Sequence, residues 1–178
     1  MSYLVAAVIV VGALCGVDLL LTVALIRRLR QHLEQESETS GPIGGLVAEG
    51  THVAQFTAVT ADGEAIGADM FRSGVIAFMS TTCKACTDQL PAFIGYLSDS
   101  GPGRDRTLAV VVGSDTPDGD HLVAELAQHA HVVREELDGP IGIGFNARVF
   151  PAFYLLDDRL TIAGSSIDPA RLGVVLPT

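Results

Sequence analysis

The chain has 178 residues, 48% of them hydrophobic, and a formal net charge of −10. This length allows one domain of about 100–150 residues together with additional chain. Beyond Arg27, Arg28 and Arg30 the basic residues form no cluster, which argues against nucleic-acid binding. Three cysteines are too few for a multi-disulfide scaffold or a four-cysteine zinc site.

The first predicted element is a transmembrane helix, and we assign residues 1–27 to a membrane anchor. Residues 3–26 are apolar apart from Asp18 and Thr22. At ~1.5 Å rise per residue, this run is long enough to span a bilayer. No basic segment precedes it and no small-x-small cleavage site follows it, so we expect a retained anchor and not a cleaved signal peptide.

One face of the predicted anchor carries small and polar residues. Gly12 and Gly16 have the spacing that lets membrane helices approach closely, and Cys15 and Asp18 lie on roughly the same face. Because an intramembrane carboxylate usually faces a partner, a pore or water, this face could bind a membrane electron donor. The alternative, which we favour, is a chance pattern in which Asp18 is protonated or reaches the membrane interface.

The segment after the anchor, residues 28–45, is interpreted as a juxtamembrane helix extension and a linker. Residues 27–36 are polar and continue the helical pattern, whereas residues 37–45 are rich in Gly, Ser and Pro. A globular domain is therefore expected over residues 46–178. No internal repeat interrupts it.

Strands and helices alternate in the predicted domain, which indicates an α/β three-layer sandwich. Apolar runs and turn residues predict strands at Ala54–Val59, Glu64–Ile66, Val75–Met79, Thr107–Val112, His131–Arg134, Phe153–Leu156 and Leu160–Ala163. Helices are predicted at Cys83–Leu97 and Asp118–Ala130, and a short final helix begins at Asp168-Pro169.

The clearest functional motif is the C-x-x-C pair formed by Cys83 and Cys86. It follows a buried strand and opens a helix, which is the arrangement of thioredoxin-type redox sites. Unpaired N–H groups and the helix dipole stabilise a thiolate at Cys83, and Cys86 lies one turn away on the same face. We expect Cys83 to be the exposed nucleophile and Cys86 the shielded resolving cysteine, with Thr81 or Thr82 as the N-cap.

Three further features extend this resemblance. Pro91 lies five residues after Cys86, residues 149–157 match a cis-proline loop and its following strand, and residues 50–56 match an amino-terminal hairpin. From residue 50 to the C-terminus, and in its anchor, the chain resembles the TlpA/ResA-like membrane-anchored thiol–disulfide oxidoreductases, including MauD-like proteins. The resemblance implies a thioredoxin-like fold and a cis peptide bond before Pro151, whose backbone faces the substrate across from the cysteines.

The chain departs from the usual family pattern at three positions. Thr82 replaces a Trp before the first cysteine, and Phe150 replaces a Thr or Val before the proline. We expect Thr82, Lys84 and Phe150 to contact the substrate. Lys84 can also lower the pKa of the Cys83 thiol slightly, although it could simply be an exposed residue at the helix start.

The third departure concerns proton transfer. Ala77 stands where thioredoxin has a buried acid that helps to deprotonate the second cysteine. The proton of Cys86 would then leave through water or another carboxylate. Asp88 and Glu64 are candidates, although both are more simply explained as surface acids.

These features favour a membrane-tethered oxidoreductase that reduces client protein disulfides without a cofactor, because the Lys-Ala dipeptide differs from that of strongly oxidising enzymes. One alternative is a metallochaperone-type assembly factor that carries copper on the cysteines, although no motif places a histidine near them. A peroxiredoxin-like peroxidase is weaker, because Ser80 fits that pattern but Ile76 occupies its proline position.

Two arguments about the location of the domain disagree. Arg27, Arg28 and Arg30 follow the anchor and no basic side chain precedes it, so the positive-inside rule places the domain in the cytoplasm. The resemblance places it outside, where disulfides persist and a dedicated reductant is needed. We follow the resemblance and expect a single-pass membrane protein with an extracytoplasmic redox domain.

Overall fold

The fold was analysed on a computed structural model, which describes residues 45–113 and 116–173. The predicted anchor, its Gly12, Cys15, Gly16 and Asp18 face, and the juxtamembrane segment up to residue 44 lie outside the described residues. Within the described ranges, none of the helices has the length and apolar character needed to cross a membrane.

The described chain alternates strands and helices, as predicted. The strands are β1 (Thr57–Val59), β2 (Ala65–Gly67), β3 (Val75–Ser80), β4 (Thr107–Val112), β5 (His131–Glu135), β6 (Ala152–Leu156) and β7 (Ile162–Ser166). The α-helices are α1 (Lys84–Asp99), α2 (Pro117–Leu126) and α3 (Pro140–Gly144). Short 3-10 turns lie at Ala68–Phe71, Arg104–Arg106 and Pro169–Arg171.

A central mixed sheet has the strand order β5-β4-β3-β6-β7, and β1 and β2 form a separate antiparallel hairpin. Strand β3 runs parallel to β4, with Val75 opposite Thr107 and Ser80 opposite Val112, whereas β6 is antiparallel to β3. Because β3 and β4 are parallel, their carboxyl ends meet at one edge of the sheet. Helices α1 and α2 begin at that edge, which is where the cysteines lie.

The two faces of the sheet pack differently, because successive side chains of a strand point in opposite directions. Val75, Ala77 and Met79 of β3 face the core that includes Cys86 and Phe93 of α1. The other face, which we call the aromatic face, holds a separate buried core that includes Phe71, Phe78, Phe145 and Tyr154. Nearly every residue of β3 and β4 is fully buried, which explains their continuous apolar sequences.

Backbone hydrogen bonds from other segments partly cover both outer strands of the sheet. The amide of Ala61, in the β1–β2 turn, donates to the carbonyl of Val132 in β5 at 2.7 Å. At the opposite side, Gly50 donates to the carbonyl of Ile162 at 2.8 Å, and Ile162 donates to Thr51 at 2.9 Å. Neither outer strand therefore presents its whole backbone edge to solvent.

Most predicted elements are confirmed, and the differences have local causes. Strand β4 has the predicted bounds, and Asp168 caps the final turn through its side chain. Strand β7 begins at Ile162 and not at Leu160, because Leu160 adopts a left-handed conformation with φ 59° inside the turn. Helix α2 ends at Leu126, four residues earlier than predicted, and α3 was not predicted.

Candidate active site

Cys83 occupies the N-cap position of α1. Its backbone is extended (φ −99°, ψ 107°), and the helix proper begins at Lys84. The predicted threonine cap is therefore wrong, because the chain enters the helix one residue later than the prediction required. Thr82 is exposed, and its amide donates to the Ser80 hydroxyl at 3.3 Å. The end of β3 is thus tied to the turn that presents Cys83.

The two cysteines are both free thiols and have different surroundings. Cys83 is partly exposed, whereas Cys86, on the inner side of α1, is completely buried against the sheet. Burial raises the pKa of the Cys86 thiol to about 12, and the neighbouring Cys83 adds to this effect. The Ser80 amide opposes it by donating to the Cys86 sulfur at 3.3 Å. Cys86 therefore stays protonated at neutral pH, and Cys83 is the accessible sulfur.

The loop before β6 lies directly against Cys83. The Phe150–Pro151 peptide bond is cis, as the resemblance implied. The Cys83 thiol donates to the Phe150 carbonyl at 3.3 Å, which places this backbone beside the reactive sulfur. The Phe150 ring is half-buried and packs against both hydrophobic cores. The structure thus brings Cys83, Cys86, Phe150 and Pro151 together from two distant parts of the sequence.

The Lys84 side chain pairs with another residue of α1. Its Nζ lies 2.8 Å from both carboxylate oxygens of Asp88, one turn along α1, and 86% of the Lys84 side chain is exposed. Because both side chains are exposed, water and salt screen the lysine charge, and its interactions with nearby groups are weak. The influence of Lys84 on the Cys83 thiol is therefore small.

The carboxylates considered for deprotonating Cys86 both have other partners. Asp88 binds Lys84, and Glu64 Oε2 lies 3.3 Å from Nδ1 of the buried His131. His131 is paired with Leu108, whose side chain belongs to the aromatic face and not to the core that holds Cys86. Ala77 is fully buried beneath the site, as its place in β3 requires. Water therefore remains the simplest acceptor for the Cys86 proton.

A cavity of about 410 Å³ opens beside Cys83, between the beginnings of α1 and α2. Its lining residues are Thr81, Thr82, Cys83, Lys84, Thr87 and Leu90, followed by Asp118, His121 and Leu122. Sequence analysis missed the three residues from α2. The signal was available: helices that follow parallel neighbouring strands begin at the same sheet edge, so the first turns of α2 had to approach the cysteines.

His121 is the histidine that shares this cavity with Cys83, and its Nε2 lies 3.8 Å from Glu125. Within residues 45–113 and 116–173, no three His, Cys, Asp or Glu side chains come together as ligands for a metal ion. The copper-carrier alternative therefore gains no ligand set from the described site. Ile76, which weakened the peroxidase alternative, is the second residue of β3 and is fully buried.

Comparison with protein-family models gives no match, and comparison with curated proteins gives none. Solved structures do match. The thioredoxin domain of a thiol-disulfide oxidoreductase from Bacteroides vulgatus is 15% identical with a TM-score of 0.54, covering 68% of this chain and 90% of that one. A thiol:disulfide interchange protein from Bacteroides sp. is 15% identical, with a TM-score of 0.52, and the alignment covers 69% of this chain and 85% of that one.

A third match is a thiol:disulfide interchange protein of the thioredoxin family from Chlorobium tepidum. It is 17% identical, with a TM-score of 0.50, and the alignment covers 68% of this chain and 88% of that one. These likenesses establish the class of fold. The chain has a thioredoxin-like α/β fold, with a C-x-x-C pair at the start of the helix that follows β3.

Proposed function

We propose that this protein is a thiol–disulfide oxidoreductase that reduces disulfides of client proteins through Cys83 and Cys86. The observation that carries the proposal is the asymmetric cysteine pair. A partly exposed Cys83 begins α1, a buried Cys86 lies one turn on, and the Phe150 carbonyl lies 3.3 Å from the Cys83 sulfur. The fold shared with the solved thiol-disulfide oxidoreductases is consistent with this chemistry.

The reaction takes place in two exchanges. The Cys83 thiolate attacks one sulfur of the client disulfide, so that a Cys83–client disulfide forms and the other client sulfur leaves as a thiolate. Cys86 then loses its proton and attacks the Cys83 sulfur, which releases the second client thiolate. Two electrons pass to the client, and the leaving thiolates take up protons. The protein is left with a Cys83–Cys86 disulfide.

The high pKa of Cys86 suits this order of events. A resolving cysteine that is protonated in the free protein does not compete with Cys83 for the client disulfide. Its proton has to leave only after the mixed disulfide has formed. Raising the pKa by burial therefore separates the two steps in time.

We further propose that residues 1–27 tether the domain to a membrane and that the domain lies outside the cytoplasm. Because each turnover oxidises the cysteine pair, a dithiol donor has to restore it. The donor we propose is a membrane protein that carries such a dithiol. The anchor face with Gly12, Cys15, Gly16 and Asp18 is its candidate contact, although the sequence alone favours a chance pattern there. The apolar run of residues 3–26 and the resemblance to anchored oxidoreductases support this arrangement.

The central experiment is capture of mixed disulfides by the Cys86→Ser variant of the full chain in native membranes. This variant should attack clients but fail to release them, so thiol-sensitive adducts should accumulate. The matched Cys83→Ser variant should give none. Adducts on Cys83→Ser, or none on either variant while the wild type also fails to reduce a model disulfide peptide, would contradict the proposed function.

The location of the domain can be tested with a membrane-impermeant maleimide on intact cells after mild reduction. Labelling of Cys83 without lysis would support an extracytoplasmic domain. Labelling only after lysis would place the domain in the cytoplasm, as the arginines after the anchor predict.

A further inference from the structure

We propose that the cavity between α1 and α2 binds the client next to its reacting disulfide and prefers a client lysine or arginine at that point. We call this cavity the α1–α2 cleft. The inference rests on the proposed function and deepens it by naming the class of client segment. It depends on the position, the lining and the charge of the cleft.

The position of the cleft relates it directly to the reactive sulfur. Cys83 forms part of its wall, while the Phe150 carbonyl lies on Cys83 from another segment of the chain. A client whose cysteine is bonded to Cys83 must place its neighbouring residues beside that sulfur. The α1–α2 cleft is an open space at this point. Its volume of about 410 Å³ can hold one or two side chains.

The lining of the cleft combines an apolar base with polar walls. Leu90 and Leu122 are 5% and 7% exposed and supply hydrocarbon surface at the base. Thr82 and Thr87, both exposed, give polar character to the wall contributed by α1 and the turn before it, whereas the Thr81 hydroxyl is buried. Such a site suits a side chain with an apolar stem and a polar end, which is the construction of lysine and arginine.

The charge on the rim of the cleft determines whether a positively or a negatively charged client side chain is preferred. Lys84 forms an ion pair with Asp88 at 2.8 Å, so the two side chains together contribute no net charge to the rim. On the opposite rim, Asp118 is exposed, and within the described residues no cation lies within 4 Å of its carboxylate. Glu125 lies outside the lining but adds a second carboxylate nearby, 3.8 Å from Nε2 of His121. The rim is therefore negative at neutral pH, and the net charge of −10 acts in the same direction.

The test uses three synthetic peptides that differ only in the residue next to a cysteine, which is Lys, Glu or Ala. Each cysteine carries a thionitrobenzoate leaving group, and the reduced protein is mixed with each peptide at low salt. The rate of coloured thiol release is divided by the rate of the same peptide with dithiothreitol, which removes intrinsic differences in reactivity. We expect the Lys peptide to react about threefold to fivefold faster than the Glu peptide, as for an exposed charge pair.

Two variants locate the preference. Asp118→Asn should reduce the Lys-over-Glu ratio toward that of a neutral cleft, and Asp118→Lys should reverse it. Asp99→Asn removes the same charge from the far end of α1 and should leave the ratio as in the wild type. The ratio should also fall as salt is raised, because the groups are exposed.

The outcomes separate this inference from the function on which it rests. No reaction with any peptide would overturn the proposed oxidoreductase function itself. Equal normalised rates for the three peptides would overturn the cleft proposal alone. A preference that survives in Asp118→Asn, or that falls equally in Asp99→Asn, would assign the effect to overall charge and would also overturn the cleft proposal.

Discussion

Both faces of the central sheet are covered by a buried core, but only one of them carries the thiol pair. On the aromatic face, the Phe78 ring lies 5.2 Å from Phe145 and 5.9 Å from Tyr154, and Phe145 lies 5.3 Å from Tyr154. On the opposite face, which we call the helix face, small or flexible residues such as Ala77 and Met79 lie beneath α1 and its buried Cys86. Large rings bury much apolar surface. Both faces therefore stabilise the fold, and the helix face also carries the thiol pair.

The largest expected effect is on the rate of disulfide exchange, with the packing of both faces unchanged. Cys83→Ser should lower the rate of disulfide exchange by several orders of magnitude, because it removes the attacking sulfur. Its folding stability should change little, since Cys83 is partly exposed. Exchange would be followed with a model disulfide peptide and stability by urea denaturation. Retained exchange would show that another sulfur attacks.

The next largest effect is a loss of stability caused by a cavity on the aromatic face, with the reactivity of Cys83 unchanged. Phe71 is fully buried at 6.3 Å from the Phe56 ring and 6.1 Å from His131. Phe71→Ala should cost about 3–5 kcal/mol of unfolding free energy, and Phe71→Leu less. Urea denaturation measures that loss. The rate at which iodoacetamide alkylates Cys83 in the folded protein should stay within about twofold of wild type, since Phe71 precedes β3 and Cys83 follows its other end, and distant positions without shared contacts act independently.

A matched substitution on the helix face sharpens the contrast. Phe93 in α1 is fully buried, and its ring lies 4.8 Å from Phe153 in β6. Phe93→Ala should cost a similar free energy of unfolding. It should also change the alkylation rate of Cys83, because α1 carries both cysteines. If Phe71→Ala and Phe93→Ala altered thiol reactivity equally, the division between the faces would be wrong.

Alkaline pH provides a third, graded test of the helix face. The pKa of Cys86 is about 12 in the folded protein, against an ordinary value of 9.0. The unfolded chain therefore loses this proton first, so the contribution of the buried thiol to stability is complete below pH ~9 and is lost between pH ~9 and ~12. The reduced wild type should lose stability more steeply over this range than Cys86→Ala. Equal slopes would contradict the burial of a protonated Cys86.

The smallest expected effect concerns the surface of α1. Asp88→Asn frees Lys84 from its carboxylate partner, so its charge can favour the Cys83 thiolate. Because both side chains are exposed, the gain corresponds to about 0.2–1 kcal/mol, or up to about fivefold in alkylation rate at low salt. Asp105→Asn, elsewhere on the surface, is the control. A change that persists in high salt would point to a structural cause.

Much of the fold could be predicted because the central strands have an unambiguous pattern. The run at Thr107–Val112 is apolar and β-branched, and its bounds were correct. Helix α3, by contrast, is built from Pro140–Gly144, a sequence with three weak helix formers among five residues. It is held by the Glu135 carboxylate, which accepts hydrogen bonds from the amides of Ile141 and Gly142 at 2.9 Å. Local propensity does not reveal such a tertiary cap.

The candidate site was predictable where it depends on short spacing and not where it depends on tertiary contacts. The cysteines are three residues apart at the start of a helix, and this spacing was enough to predict that Cys86 lies one turn after Cys83. The cis bond before Pro151 was predicted from the resemblance. The threonine cap failed because the conformation of one residue, Cys83, decides where the helix begins. Asp118 and His121 were missed because their approach to Cys83 depends on how α2 packs.

The hydrogen bonds that cover the outer strands also bear on aggregation. An exposed strand edge is a template on which a second chain can add. Residues 50–53 occupy part of that template beside β7, since Gly50 and Val53 donate to the carbonyls of Ile162 and Leu160 at 2.8 Å. A polypeptide that began at Ala54 would keep Cys83 and Cys86 and lose this cover. Its colloidal behaviour, and not its redox chemistry, would then set the concentration at which it could be studied.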